Sequence, residues 1–181
     1  VKKFNNKIKI IDLSADFRLD SLDLYKTNYN EDHSCPDILN SFVYGLPEIN
    51  KAKIINMSNV AIPGCYPTSI LIPIIPLLDN NLLNGENIII DSKSGYSGAG
   101  KKFSLSNIKN LEDFNFYNYS TNEHRHICEI QQELNKHSSK NINFSFNPHI
   151  LPVYRGMMST IYSDLNKDVT VEDIKDTFKN F

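Results

Sequence analysis

Apolar residues come in short bursts along this chain, separated by prolines, glycines and asparagines. Lys7 to Leu13 (KIKIIDL) predicts a buried strand closing on Asp12 and the polar turn Ser14-Ala15-Asp16. Asp20 to Tyr44 is polar and irregular, with Pro36 as a breaker and a short helix expected around Asp37 to Phe42. Tyr44-Gly45-Leu46-Pro47-Glu48 reads as a turn, and Lys51 to Ile62 as a strand running into Pro63-Gly64. Thr68 to Leu83 predicts a helix that Pro73 and Pro76 should kink or split. Asn87 to Asp91 (NIIID) predicts a second buried strand before a glycine-rich loop, and Phe144 and Phe146 alternate in another. Helix resumes over Glu129 to Leu134, and Met157 to Leu165 suits a strand. The chain closes on a helix in which Thr170 and Asp173 form a capping-box pattern and Val171, Ile174, Phe178 and Phe181 share one face. No internal repeat is visible.

The 181 residues suffice for one or two domains, and 40% hydrophobic content with balanced charge argues for a folded chain despite the bias to Asn, Lys and Ile. A net charge of -2, from 19 basic and 21 acidic residues, gives no electrostatic case for nucleic acid or an anionic membrane. A small polar substrate fits better. The longest apolar run, Ile70 to Leu78, is interrupted by both prolines and falls far short of the ~20 residues that cross a bilayer. No signal-peptide pattern opens the sequence. Cys35, Cys65 and Cys128 form neither a paired disulfide framework nor a CxxC knuckle, so a reducing cytoplasm is the expected compartment.

Candidate chemistry begins at Ile62-Pro63-Gly64-Cys65-Tyr66-Pro67-Thr68, where one cysteine stands between a Pro-Gly turn and the start of a helix. Pro67 suits the first helical position. The free N–H groups and positive dipole end of a helix N-terminus favour thiolate over thiol, which is how a cysteine becomes a nucleophile; the alternative is a small buried hydrophobe. The loop Ser92-Lys93-Ser94-Gly95-Tyr96-Ser97-Gly98-Ala99-Gly100-Lys101 follows a strand, where backbone N–H groups approach a phosphate or nicotinamide. It is neither GxGxxG nor a P-loop, and a flexible connection is the competing reading. In Asn122-Glu123-His124-Arg125-His126-Ile127-Cys128-Glu129-Ile130, the two imidazoles would share one face if the segment is extended. Either serves Cys65 as acid/base, or either is a structural histidine, or His124, His126 and Cys128 ligate zinc. Ligands so close together rarely complete a tetrahedral site and no second cluster is present, so no metal is expected.

Together, IDLSADFRL (11 to 19), YGLPE (44 to 48), PGCYPT (63 to 68), SKSGYSGAGKK (92 to 102), HRHICEI (124 to 130) and PHILPVYRGM (148 to 157) occur in the order found in the N-acetyl-gamma-glutamyl-phosphate reductase family. The chain resembles that family over nearly its whole length. The resemblance implies an α/β plus α+β protein: residues 1–64 as the tail of an NADP-binding Rossmann domain, and residues 65–181 as a semialdehyde-dehydrogenase-type catalytic and dimerisation domain. The family's N-terminal GxGxxG fingerprint and its C-terminal return segment are not in this sequence, so the chain looks like an internal fragment. Where the family often has Asn, Pro and an unbroken Ala-rich helix, this chain has Ile62, Cys128 and Pro73.

What the resemblance implies for function is NADPH-dependent reduction of an acyl phosphate to N-acetyl-glutamate semialdehyde in arginine biosynthesis, in a homo-oligomer. Cys65 would be the nucleophile, with His126, and His124 close behind it, as the acid/base. Arg18, Arg125 and Arg155 would bind phosphate or carboxylate, since a guanidinium pairs with such groups bidentately. Ser94, Gly95, Ser97, Gly98 and Gly100 would meet NADP(H). An inactive relic or assembly subunit of the same fold, or a related acyl-phosphate reductase with another substrate, are the alternatives.

Overall fold

The computed structural model describes residues 8–98 and 115–181, which build two sheets. The first has three parallel strands, β1 (Ile10–Asp12), β2 (Phe42–Tyr44) and β3 (Asn59–Ala61), in the order β1-β3-β2. Val60 sits at the centre, opposite Ile11 on one side and Val43 on the other. Between β1 and β2 lie helix α1 (Leu22–Tyr29), whose N-terminus is capped by the Ser21 side chain, and a 3-10 turn over Pro36–Ser41. That turn is the short helix expected from the sequence.

Lys51 to Ile62 is not one strand. Helix α2 (Pro47–Asn56) occupies most of it, and only Asn59–Ala61 is extended. Pro47 presets the first turn, Glu48 and Lys53 complement the helix dipole at its two ends, and partly buried Ile49 packs against the core.

The second sheet contains β4 (Ile88–Ser94), β5 (Tyr117–Asn118), β6 (Phe144–Ile150) and β7 (Met157–Tyr162), in the order β5-β6-β4-β7. β4 and β6 are parallel, and both outer pairings are antiparallel. The Ile88-Ile89-Ile90 run of β4 is only half buried: Ile88 and Ile90 enter the core, whereas Ile89 is 46% exposed on the opposite face. β4 also runs on through Ser92 and Ser94, so the glycine-rich segment begins as strand.

Helices α3 (Cys65–Asp79) and α4 (Ile127–Lys136) pack together, and the core joins them to Ile88, Ile90 and Phe146 of the sheet. α3 runs as one helix through Pro73 and Pro76, against the expected kink or break. An interior proline costs about 3 kcal/mol. Burying Ile70, Leu71, Ile74 and Ile75, each exposed by 1% or less, offsets this at roughly 1.5–3 kcal/mol per side chain. Helix α5 (Val171–Asn180) lies against α3, and its Thr170–Asp173 capping box forms as expected. Gln132 of α4 ties the two sheets together, its Oε1 accepting the Asp20 N–H at 2.7 Å and its Nε2 donating to the Arg18 carbonyl at 3.1 Å. Among the described residues no helix is long and apolar enough to cross a membrane.

Candidate active site

Cys65 is the first residue of α3 and its side chain is exposed. The helix therefore begins two residues earlier than Pro67 suggested, and Pro67 falls at its third position, where the backbone N–H has no intrahelical acceptor in any case. Around Cys65 opens a cleft of about 600 Å³, walled by Tyr66, Ser94, Tyr119, His124, Arg125 and His126, with Gly98 and Met157 beside them. A larger cavity of about 830 Å³ lies between α2, β2 and α4, but it holds no cysteine.

His124 and His126 lie in a turn, not on a strand, and His126 caps α4. Their rings meet edge to face with centroids 4.8 Å apart. The His126 imidazole lies against Gly64, the residue before the thiol: a Cβ placed on Gly64 would stand 2.7 Å from Nε2. Burial, aided by electrostatic interaction with His124 and by the Arg125 and Arg18 guanidinium groups, lowers the His126 pKa to about 3. Burial and Arg125 lower that of His124 to about 4. Both rings are neutral at pH 7.

In the first turn of α4, Glu129 is fully buried. Its Oε1 accepts the Gly64 N–H and the Tyr44 hydroxyl, each at 2.8 Å, and its Oε2 faces Arg18 Nη1 at 3.5 Å. Burial raises the Glu129 pKa, and the Gly64 N–H, Arg18 and Tyr44 pull it back. Arg18 also donates to the Ile62 carbonyl at 2.7 Å and the Leu13 carbonyl at 3.0 Å. These contacts hold Ile62, just before the Pro63-Gly64 turn, and Gly64 within it, and tie both to Leu13 beyond β1. On the other wall, the Tyr119 hydroxyl donates to the Tyr66 hydroxyl at 3.3 Å, and Tyr66 donates to Ser94 Oγ at 3.0 Å.

Residues 65–181 match the family model described as semialdehyde dehydrogenase, dimerisation domain. The chain belongs to the semialdehyde dehydrogenase family. Among curated relatives of this family, an N-acetyl-gamma-glutamyl-phosphate reductase of Ehrlichia canis (strain Jake) is 46% identical over 182 residues, covering 100% of this chain and 52% of the relative. The protein of the same name from Caldicellulosiruptor bescii is 45% identical over 172 residues, covering 95% of this chain and 50% of its own length. The chain thus spans about half the length of the curated relatives it matches. Aspartate semialdehyde dehydrogenase II from Vibrio cholerae shares the fold with a TM-score of 0.63 at 18% identity, over 94% of this chain and 52% of that one. The aspartate semialdehyde dehydrogenase from Francisella tularensis does so with a TM-score of 0.64 at 18% identity, over 98% and 57%.

Within this member of the semialdehyde dehydrogenase family, the residues expected from sequence divide into two groups. Cys65, His124, His126, Arg125, Ser94 and Gly98 line one cleft. Arg18 does not line it: its side chain is buried and turned to Glu129 and two carbonyls. Arg155 is exposed and stands apart from the cleft lining. Gly95 packs on the 153–155 backbone, where a Cβ would come within 2.7 Å of the Val153 carbonyl oxygen, and the Ser97 N–H is bonded to the Tyr154 carbonyl at 2.8 Å. Gly100 lies outside the described residues. The sequence alone does not single out Tyr66, Tyr119 or Tyr44, and it marks Glu129 only as the start of a helix. The signal for Glu129 was a carboxylate in the first turn of a strongly amphipathic helix, but its partners are distant in sequence.

Proposed function

We propose that this protein is an NADPH-dependent acyl-phosphate reductase that converts N-acetyl-gamma-glutamyl phosphate to N-acetyl-glutamate 5-semialdehyde through a thioester on Cys65. The reading takes residues 1–64 as the end of an NADP-binding domain and 65–181 as the catalytic and dimerisation domain of a homo-oligomer. It places the reaction in cytoplasmic arginine biosynthesis. The observation that carries it is an exposed thiol at the first position of α3, in a cleft shared with two neutral imidazoles.

The Cys65 thiol gives its proton to neutral His126 as its sulfur attacks the acyl carbon; the S–C bond forms, the bond from that carbon to the phosphate oxygen breaks, and phosphate leaves. Arg125, exposed on the cleft wall, supplies positive charge to the departing phosphate. A bound nicotinamide supplies the hydride that reduces the thioester. Ser94 and Gly98 would hold its ring: among the described residues, a Cβ on Gly98 would meet Ser94, with Oγ at 3.4 Å. His126, against Gly64 and lining the same cleft as Cys65, gives that proton to the resulting oxyanion and takes it back as the C–S bond breaks and the aldehyde leaves.

The test uses the full-length protein with N-acetyl-gamma-glutamyl phosphate and, separately, aspartyl phosphate. Wild type mixed with the first substrate without cofactor should release one phosphate per Cys65 and gain the acyl mass on the peptide that contains it. Cys65→Ala should do neither. Turnover by Cys65→Ala would sink the mechanism, and preference for aspartyl phosphate would overturn the substrate.

A further inference from the structure

The two imidazoles of the cleft are not equivalent. Nδ1 of His124 accepts the backbone N–H of His126 at 3.1 Å, so that nitrogen carries no proton. A neutral imidazole has one N–H, and with Nδ1 engaged as acceptor it must be on Nε2. Burial and the adjoining Arg125 guanidinium keep the ring neutral. Nε2 lies 3.5 Å from the Tyr119 hydroxyl oxygen, whose own proton goes to Tyr66, while that of Tyr66 goes to Ser94. The donors therefore point one way, from His124 to Ser94, and the long first contact leaves the Nε2–H able to serve an acceptor in the cleft. Tyr66 and Phe146 meet the His124 ring edge to face, each with a centroid distance of 5.5 Å, and pack on each other at 5.2 Å, so the ring rests on an aromatic wall. His126 is packed but its ring nitrogens are not held in the same way: Nδ1 is buried with no hydrogen-bond partner among the described residues, and Nε2 abuts a glycine.

Building on the acyl-phosphate reductase reading, we propose that His124 is a fixed neutral hydrogen-bond donor, through Nε2, to the substrate carbonyl oxygen, and that proton transfer belongs to His126. When the Cys65 S–C bond forms, the electron pair of the carbonyl π-bond moves to that oxygen, and it returns as the phosphate leaves. His124 keeps its proton throughout. A neutral imidazole can serve as such an electrophile because its acceptor nitrogen is held by the backbone. Among the described residues, the charged and titratable groups that share its cleft are Arg125, His126, Glu123, Tyr66, Tyr117, Tyr119 and Cys65.

Two measurements test this. In the protein labelled with ¹⁵N-histidine, with the signal assigned by loss in His124→Gln, His124 should show the Nε2–H tautomer, unchanged from pH 6 to 8. An Nδ1–H tautomer, or a charged ring, overturns the proposal whether or not the protein is a reductase. In the full-length enzyme, His124→Gln, which keeps an amide N–H within reach of the Nε2 position, should lose no more than about tenfold in kcat. His124→Asn, which keeps only the Nδ1-like acceptor, should lose about 10²–10³. The kcat pH profile should keep its wild-type shape in both. Equal losses in both, with a changed pH profile, would make His124 the acid/base and overturn the assignment; an inactive wild type would instead fail the reductase reading and leave the tautomer measurement to decide.

Discussion

Gly64→Ala should damage the site without straining the backbone. Gly64 has φ -63° and ψ 158°, extended values open to any residue, so the whole effect is steric. The new Cβ would stand 2.7 Å from His126 Nε2, 2.9 Å from its Cε1 and 3.0 Å from Pro67 Cδ. Ordinary contact begins near ~3.4 Å, so the imidazole must retreat by roughly 0.7 Å. It has little room to do so. His126 is 4% exposed and lies against the His124 ring, while Gly64 is tied to Glu129 through its N–H at 2.8 Å. Overpacking of this kind costs about 1–3 kcal/mol, and a shift approaching 1 Å in a reacting group costs up to ~10²-fold in rate. Urea unfolding of single and double variants separates the causes. Gly64→Ala should lose about 1–3 kcal/mol in the wild-type background but only a few tenths in His126→Ala, where Pro67 Cδ is the remaining neighbour. In the full-length enzyme its kcat should fall by about 10–10²-fold. Unchanged kcat, or the same destabilisation in both backgrounds, would refute the reasoning.

Iodoacetamide at pH 7.5 should modify Cys65 first, because it is exposed, whereas burial and the Glu129 carboxylate push the Cys128 thiol up to about 11; peptide mapping that finds Cys128 labelled as fast would contradict this. The His126 pKa of about 3, against 6.5 in the unfolded chain, means that the unfolded state binds more protons between those values. Its stabilising contribution is therefore complete above pH 6.5 and is lost as the pH falls towards 3, by about 1.4 kcal/mol per unit. His124 acts in the same direction and Glu129, with its raised pKa, in the opposite one. Urea unfolding from pH 7 to 4 should show a shallower loss in His126→Gln than in wild type; parallel curves would exclude a buried neutral ring. Arg18→Met should cost about 3–5 kcal/mol, since it strips the cation from a buried carboxylate; a melting temperature within one degree of wild type would show that the pair contributes nothing. Thr170→Ala should cost about 1 kcal/mol by removing the α5 cap, measured in the same way, with no change expected at Cys65.

What the sequence could and could not disclose follows from the range of the forces involved. The capping box at Thr170, the 3-10 turn after Pro36 and the strand at Ile88 are decided within a few residues, and each is where local pattern placed it. α2 was misread because Lys51 to Asn59 has neither strict alternation nor a clean helical stripe, and only its contact with β2 and the core decides between them. α3 shows the opposite case, in which two clear local breakers are overridden by a buried face. At the site, Cys65 is legible because the turn and helix that present it are contiguous. Arg18 is not, since a guanidinium that grips a distant carboxylate has the same sequence signature as one that awaits a substrate.

The deepest consequence of the fold is that the thiol and its imidazole are not positioned independently. His126 and Glu129 are three residues apart at the start of α4, and both act on Gly64: one ring rests on its α-carbon, and one carboxylate holds its N–H. The spacing between the imidazole and the Pro63-Gly64 turn is therefore set by one turn of α4. Arg18 extends the coupling to the first sheet, because the same guanidinium that faces Glu129 also holds the carbonyls of Ile62 and Leu13 at the ends of β3 and β1. In the α/β plan these are the carboxyl ends of parallel strands, where a ligand of an open sheet would lie. Under the proposed reading, a cofactor bound there would press on the same frame that sets Cys65, which gives Arg18 and Glu129 a positioning role without contact with a substrate.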